Sequence, residues 1–180
     1  GVIGIEFASL FASLGKEVTI LELLPKILAP MDSEMRRILS QTLRRKGVKI
    51  KTSVSVERIE TNLNDQKVTV HYAEGEKTDS DTANACLISV GRKPVIRELG
   101  LEAVGIKTEK GFIAIDAECR TNVPNIFAIG DITGKIQLAH VATSQGMVAA
   151  ANCAEQPKRM RYDIIPSCVY TQPEWASVGL

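Results

Sequence analysis

The first four residues of the chain, Gly1-Val2-Ile3-Gly4, have the composition of a phosphate-binding turn. In a G-x-G-x-x-G turn, glycines let the backbone approach a pyrophosphate and let the following helix pack closely on a sheet, and an acidic residue follows about 20 residues later. Gly1 and Gly4 fit the second and third glycines, and Glu22 fits the acid. The spacing therefore predicts a dinucleotide-binding βαβ unit.

Glu22 also indicates which dinucleotide would bind. Its carboxylate can accept hydrogen bonds from both ribose hydroxyls of an adenosine, but it would repel a 2′-phosphate. Like charges about 4 Å apart cost roughly 1 kcal/mol in water and up to about 4 kcal/mol in a semi-buried site. NAD is therefore favoured over NADP. The alternative is a carboxylate at the end of a strand that is only solvated in a loop.

A second carboxylate, Glu6, lies between Ile5 and Phe7 in an otherwise apolar segment. Burying an isolated charge is expensive, so this side chain needs a partner or a functional role. The alternative interpretation places Glu6 on the solvated edge of a helix.

A third candidate site is the segment TNVPNIFAIGD at residues 121–131. It predicts a buried strand that delivers Asp131 to the carboxyl end of a sheet, where α/β folds bind ligands. Leu138, Ala139 and His140 follow at a predicted helix start, whose free amides would face an anion or a polarised oxygen. We interpret His140 as a helix-start residue rather than a catalyst, because neither a nucleophile nor a carboxylate accompanies it.

The composition excludes several classes of partner. The 180 residues include 22 Lys and Arg and 21 Asp and Glu, which gives a net charge of +1 and no electrostatic case for nucleic acid or an anionic membrane. No apolar stretch approaches the roughly 18 residues that span a bilayer. The cysteines are Cys86, Cys119, Cys153 and Cys168. Because they are far apart in the sequence, we expect reduced, mostly buried thiols in a cytosolic protein and no metal site.

Apolar periodicity predicts the secondary structure. The predicted elements are a helix at 2–14, a strand at 17–22, a helix capped by Asp32 or Ser33 and ended by Gly47, a strand at 48–52, three antiparallel strands at 54–59, 67–73 and 76–82, apolar strands at 85–90, 112–117 and 125–129, and a helix at about 140–153. The fold class is therefore α/β, with a Rossmann-like parallel sheet and an antiparallel meander.

Four collinear stretches that cover essentially the whole chain are similar to one enzyme family: GVIGIEFASLFASLGKEVTILE, SVGRKP, TNVPNIFAIGDITG with LAHVA, and IPSCVYTQPEWASVGL. They resemble the FAD-dependent pyridine nucleotide–disulfide oxidoreductases. Within that family, the run at 138–140 and the stretch at 170–174 resemble the dihydrolipoamide dehydrogenases more than the glutathione or mercuric reductases.

The resemblance implies ligand roles and domains. It places Gly1, Gly4 and Glu22 in an NAD site and Glu6 near the nicotinamide and flavin. The other implied positions are Val54 beside the adenine, Gly91 and Arg92 in a loop over NAD, Asp131 on the FAD ribityl chain, and the backbone of Leu138, Ala139 and His140 beside the flavin. The implied domains are an NAD-binding domain at 1–94 without its first strand, part of the FAD-binding domain at 95–160, and the start of a dimer-interface domain at 161–180.

The implied activity is oxidation of protein-bound dihydrolipoamide through a redox disulfide and FAD, with NAD as electron acceptor. Another FAD-dependent disulfide reductase of the family, or a non-catalytic nucleotide-binding module, remains an alternative. The implied partners are a lipoyl domain of a 2-oxoacid dehydrogenase or glycine cleavage complex and a second copy in a homodimer. Neither nucleic acid nor a membrane is expected, and the implied location is the cytoplasm.

The chain departs from the family pattern in ways that set further expectations. The family's C-x-x-x-x-C pair, its His-Glu catalytic pair and the first strand of its NAD unit match none of these residues. We therefore expect an inactive piece of a longer enzyme, without catalytic residues and unable to retain FAD. Residues 143–146, Thr-Ser-Gln-Gly, replace a usual acidic pair, which we interpret as surface variation. We also predict that the strand at 125–129 fills the gap between those at 17–22 and 85–90.

Overall fold

The computed structural model describes residues 1–179, which form two compact units. The first unit comprises Gly1–Gly91 together with Cys168–Ala176, and the second comprises Arg92–Ser167 together with the residues from Ser177. No helix among the described residues is long and apolar enough to cross a membrane.

The first unit is an α/β arrangement with seven elements before residue 91. They are α1 (Val2–Ser13), β1 (Thr19–Glu22), α2 (Ser33–Arg45), β2 (Lys49–Thr52), β3 (Ser55–Asn62), β4 (Lys67–Glu74) and β5 (Lys77–Ala83). β1 and β2 pair in parallel with Glu22 opposite Thr52, and β3, β4 and β5 form an antiparallel sheet in that order. The predicted fold class, a parallel pair followed by a meander, is confirmed.

Apolar spacing explains how α2 is anchored. Met35, Leu39 and Leu43 recur at intervals of four residues, so they share one helix face and lie in the core. Asp32 caps the helix, because its Oδ1 accepts hydrogen bonds from the backbone amides of Glu34 at 2.9 Å and Met35 at 3.0 Å. These contacts confirm the predicted start of the helix.

The second unit contains short strands, two 3₁₀ turns and one long helix. Its elements are β6 (Thr108–Glu109), β7 (Phe112–Ile113), the turns Gly130–Thr133 and Tyr162–Ile164, and α3 (Ala139–Cys153). Its core contains Cys119, Val141, Val148, Ala149 and Met160. Two further strands, β8 (Pro166–Val169) and β9 (Trp175–Val178), pair with each other near the end of the chain.

Two predicted apolar strands are wrong, and a third is shorter than predicted. Residues 85–90 form no strand, and their side chains at Leu87, Ile88 and Val90 are exposed. Of the strand predicted at 112–117, only the first two residues pair. The segment at 125–129 makes a single antiparallel bridge, between Phe127 and Arg120. It therefore pairs with neither β1 nor 85–90, and the predicted insertion is wrong.

The prediction of mostly buried cysteines is also wrong. Cys119 is buried, and burial is the main reason that the pKa of its thiol is raised. The thiols of Cys86, Cys153 and Cys168 are free and exposed. Cys86 is exposed because the segment that contains it does not pair as a strand.

Candidate nucleotide-binding sites

The glycine turn lies at the start of α1. Gly1 is the N-cap residue of this helix, and no side chain caps its first turn. The amides of a first helical turn have no partner within the helix, and the helix dipole gives them a partial positive charge. The start of α1 therefore presents donors that suit a pyrophosphate.

Gly4 lies where the helix passes close to the segment at 85–90. A Cβ added at this position would lie 2.5 Å from Ser89 Oγ and 3.7 Å from Ser89 Cβ. Any larger residue would force the Ser89 hydroxyl to move. The predicted role of this glycine was close packing of the helix on a sheet; its neighbour here is the unpaired segment 85–90, and that role stays a prediction.

Glu22 lies at the carboxyl end of β1, beside that turn. Its Oε2 is 3.4 Å from the terminal amino group of Gly1, and its Oε1 accepts a 3.0 Å hydrogen bond from the amide of Leu24. The side chain is 17% exposed. The structure thus brings two of the predicted NAD-site features together, and the carboxylate keeps acceptor capacity because each oxygen can accept two hydrogen bonds.

Glu6 has a protein partner. Its Oε1 accepts a 2.9 Å hydrogen bond from the amide of Tyr170, a residue that belongs to the same compact unit. One turn later on α1, Ser9 Oγ accepts a 3.4 Å bond from the Gln172 amide. These contacts attach residues 170–172 to the helix, and they account for a carboxylate in an apolar helix.

Val54 contributes its backbone rather than its side chain to this region. Its amide donates a 3.1 Å hydrogen bond to the Glu22 carbonyl oxygen. Its side chain is buried at 2% exposure. Gly91, at the end of the unit, has a φ of 115°, a conformation that favours glycine.

The second unit carries the remaining predicted ligand residues. Asp131 lies in the 3₁₀ turn after Gly130, and its Oδ2 is 3.2 Å from Arg92 Nη2. The Asp131 side chain is 38% exposed and that of Arg92 is 65% exposed. An ion pair this exposed contributes about 0–1 kcal/mol, so a ligand hydroxyl can compete for the carboxylate.

Leu138 is the N-cap residue of α3, and no side chain caps this helix either. Ala139 begins the helix. The imidazole Nε2 of His140 donates a 2.9 Å hydrogen bond to the Pro166 carbonyl oxygen, which agrees with a structural role for this residue. The first-turn amides remain suited to an anion or a polarised oxygen.

A cluster that the sequence did not reveal connects β2 to the meander. Lys51 Nζ bonds to Tyr72 Oη and lies 3.0 Å from Asp81 Oδ2, while Tyr72 Oη donates to Asp79 Oδ2 at 3.0 Å. The hydrogen bonds to Tyr72 and Asp81 raise the pKa of Lys51. Desolvation raises the pKa of Tyr72, so the phenol stays protonated. The only signal in the sequence for the contacts among Lys51, Tyr72 and the two aspartates is the alternation of polar residues along β4 and β5.

The surface interpretation of residues 143–146 is wrong for Gln145. Its side chain is only 1% exposed, and its Oε1 accepts a 2.6 Å hydrogen bond from the Gly130 amide. A signal was available in the sequence, because Val141, Gln145 and Val148 share one helix face at spacings of four and three.

The donor sets in the two units fit adenine dinucleotides. Each unit presents a partly exposed carboxylate, Glu22 in one and Asp131 in the other, and an uncapped helix start. Carboxylates suit sugar or ribityl hydroxyls, and helix starts suit phosphates. Within residues 1–179, no three His, Cys, Asp or Glu side chains are grouped to hold a metal ion.

The family model for pyridine nucleotide-disulphide oxidoreductases matches residues 1–146. The chain belongs to this family. It is 42% identical to a dihydrolipoyl dehydrogenase from Chlamydia pneumoniae, over 100% of this chain and 38% of that protein. It is 43% identical to a dihydrolipoyl dehydrogenase from Geobacillus stearothermophilus, over 99% of this chain and 38% of the relative.

Solved structures of the same class superpose on the whole chain. LpdA from Mycobacterium tuberculosis gives a TM-score of 0.92 at 28% identity, covering 100% of this chain and 39% of LpdA. The HOCl-induced flavoprotein disulfide reductase RclA from Escherichia coli gives 0.86 at 32% identity, covering 100% of this chain and 41% of RclA. The chain therefore spans well under half the length of the proteins that it matches.

Proposed function

We propose that the chain is the NAD-binding part and a portion of the FAD-binding part of a dihydrolipoamide dehydrogenase. The whole enzyme would oxidise protein-bound dihydrolipoamide through a redox-active disulfide and FAD, and NAD would accept the electrons. The observation that carries the proposal is the position of the Glu22 carboxylate at the carboxyl end of β1, beside the uncapped glycine start of α1 and held by a 3.0 Å hydrogen bond from the Leu24 amide. Similarity to dihydrolipoyl dehydrogenases over the full chain supports it.

In the first unit, the residues would bind and orient NAD. The start of α1 would hold the pyrophosphate, and Glu22 would accept hydrogen bonds from the adenosine ribose. The Leu24 amide keeps Glu22 Oε1 in place, so the carboxylate is held in position before the ligand arrives. Glu6, Val54 and Gly91 are further proposed contacts in this unit, and Arg92, at the start of the second unit, is another.

In the second unit, Asp131 would accept a hydrogen bond from a ribityl hydroxyl of FAD. The resemblance to the family implies that the backbone of residues 138–140 would lie beside the flavin, and the start of α3 has no side-chain cap that would compete for its amides. When bound, the flavin supplies the electron transfer between the disulfide and the nicotinamide, and the protein contributes orientation and electrostatics. We propose no catalytic role for any residue of this chain.

A second candidate function is that of another flavoprotein disulfide reductase of the same family. The observation that favours it is the 32% identity to RclA at a TM-score of 0.86. The glycine turn and Glu22 cannot decide between these enzymes, because both use a nicotinamide cofactor in this family.

The proposed partners follow from the proposed enzyme. They are a lipoyl domain of a 2-oxoacid dehydrogenase or glycine cleavage complex and a second copy in a homodimer. Residues 161–180 would begin the dimer-interface domain. The proposed location is the cytoplasm.

A substrate panel tests the proposal on the full-length protein. With NADH as donor, the disulfides to compare are lipoamide, coenzyme A disulfide and glutathione disulfide, with Hg(II) as a further acceptor. We expect flavin to copurify and lipoamide to give the highest kcat/KM. A higher kcat/KM for another acceptor would favour the second candidate, and protein without flavin or reductase activity would overturn both.

A further inference from the structure

Gln145 is the most deeply buried polar residue of α3, with 1% of its surface exposed. Its side chain uses both ends of the amide. Oε1 accepts a 2.6 Å hydrogen bond from the Gly130 amide, and Nε2 donates to Tyr162 Oη at 2.9 Å and to Thr133 Oγ1 at 3.4 Å. Burial of an amide is unfavourable unless it is hydrogen-bonded, so this set of partners explains why a glutamine is tolerated there.

These bonds hold both ends of the 3₁₀ turn Gly130–Thr133. Gly130 begins the turn, with a φ of 79° and its amide on Gln145. Thr133 ends the turn, and its hydroxyl donates a 2.8 Å hydrogen bond back to the Gly130 carbonyl oxygen. Asp131 lies between these two residues, so its backbone position depends on contacts with the Gln145 amide.

We propose that Gln145 is a positioning residue for the flavin-binding turn, acting through the Gly130 amide to set where the Asp131 carboxylate is presented. The inference rests on the proposed function, because it takes the ribityl chain of FAD as the ligand of Asp131. Gln145 does not contact the flavin in this account.

Asn152 provides a matched control on the same helix. It lies seven residues after Gln145, is 5% exposed and donates hydrogen bonds to Val148 O at 3.0 Å and Lys158 O at 2.8 Å. Replacing either amide with leucine removes buried hydrogen bonds from α3. Only Gln145→Leu removes the partner of the Gly130 amide. An effect that appears in Gln145→Leu and not in Asn152→Leu therefore reflects a loss of positioning and not a general loss of stability.

The first test uses the full-length protein freed of flavin. Hydrogen exchange, followed by mass spectrometry, reports on a peptide that covers residues 127–134. We expect faster exchange in Gln145→Leu, near wild-type exchange in Asn152→Leu, and recovery in Gln145→Glu, because a carboxylate oxygen can still accept from Gly130. Unchanged exchange in Gln145→Leu would overturn the inference.

The second test measures FAD affinity for the same variants and for Asp131→Asn. Gln145→Leu should weaken FAD binding about 10- to 100-fold, because a buried donor is left unpaired and the turn shifts. Asn152→Leu should bind as the wild type does, and Gln145→Glu should recover most of the affinity. Equal weakening in Asn152→Leu would overturn the positioning role. If Asp131→Asn leaves affinity unchanged, the proposed flavin site itself fails; if Asp131→Asn weakens binding and Gln145→Leu does not, only the present inference fails.

Discussion

At the scale of single residues, Glu22 determines the proposed cofactor preference. The prediction is that Glu22→Arg in the full-length protein shifts the ratio of kcat/KM for NAD over NADP towards NADP. We expect a shift of about tenfold or more, because the change removes ribose acceptors and supplies a cation for the 2′-phosphate. Steady-state rates with each cofactor measure this ratio.

Glu17→Arg is the control for that experiment. Glu17 is exposed and makes the same charge change five residues earlier in the chain. Equal shifts in both variants would indicate a general effect of charge, and an unchanged ratio in Glu22→Arg would show that this carboxylate is not at the ribose.

Single residues also show what the sequence could predict. Glu6 does have a partner in the Tyr170 amide, and a contact across 164 residues could not be located from a helical pattern. Gln145 was interpreted as a surface residue because residues 143–146 replace a usual acidic pair, although Gln145 lies on the apolar face of α3. The contact between Lys51 and Tyr72 could not be predicted, because the alternation of polar and apolar residues does not by itself determine the register of the strands. The register decides which side chains meet across neighbouring strands.

At the scale of elements, the cap of α2 gives a pH-dependent prediction. The Met35 amide is the main cause of the lowered pKa of Asp32. A carboxyl group whose pKa is lowered by folding stabilises the protein above its ordinary pKa, and this contribution is lost as the pH falls through the lowered value. Asp32→Ala should therefore lower the melting temperature at pH 7.

Asp32→Asn is the matched variant, because asparagine keeps the cap but does not titrate. Its melting temperature should be close to that of the wild type at pH 7, and it should fall less than that of the wild type as the pH falls from about 4 through the lowered pKa of Asp32. Parallel acid loss in both proteins would contradict the assigned role of this carboxylate.

The elements that the sequence predicted correctly are those that local contacts define. Both early helices, the parallel pair and the meander follow from periodicity and turn residues. The apolar segments at 85–90 and 125–129 failed because a strand requires a hydrogen-bonded neighbour, which apolarity cannot guarantee. The strand predicted from 112 stops early because Asp116 Oδ1 accepts from the amides of Glu118 and Arg120, both at 2.8 Å, and turns the chain.

The apolar face of α1 gives another prediction for this element. Ile3, Phe7, Leu10 and Leu14 recur along one side of the helix and are each at least 40% exposed. The isolated chain should therefore bind a fluorescent hydrophobic dye, and Leu10→Lys should reduce the signal. Leu63→Lys is the control, because Leu63 is 86% exposed in a hairpin turn and lies outside this face. Equal signals in the two variants would show that dye binds elsewhere.

At the scale of the whole molecule, the two compact units divide the proposed work between two nucleotides. The first presents Glu22 beside an uncapped helix, and the second presents Asp131 in a turn held by Gln145. The chain matches only 38% of the length of its dihydrolipoyl dehydrogenase relatives, and the family's redox cysteine pair matches none of its residues. Its contribution to the proposed enzyme is therefore the binding and orientation of cofactors.

The most direct test of this account is the formation of NADH from NAD and dihydrolipoamide, followed by absorbance, in the full-length protein and in the chain 1–180. We predict NADH formation by the flavin-containing full-length protein, and neither NADH nor a flavin absorption band from the chain alone. Failure of the flavin-loaded full-length protein to form NADH from dihydrolipoamide would contradict the proposed activity. A flavin band that survives gel filtration of chain 1–180 would contradict the proposed division of the cofactor site.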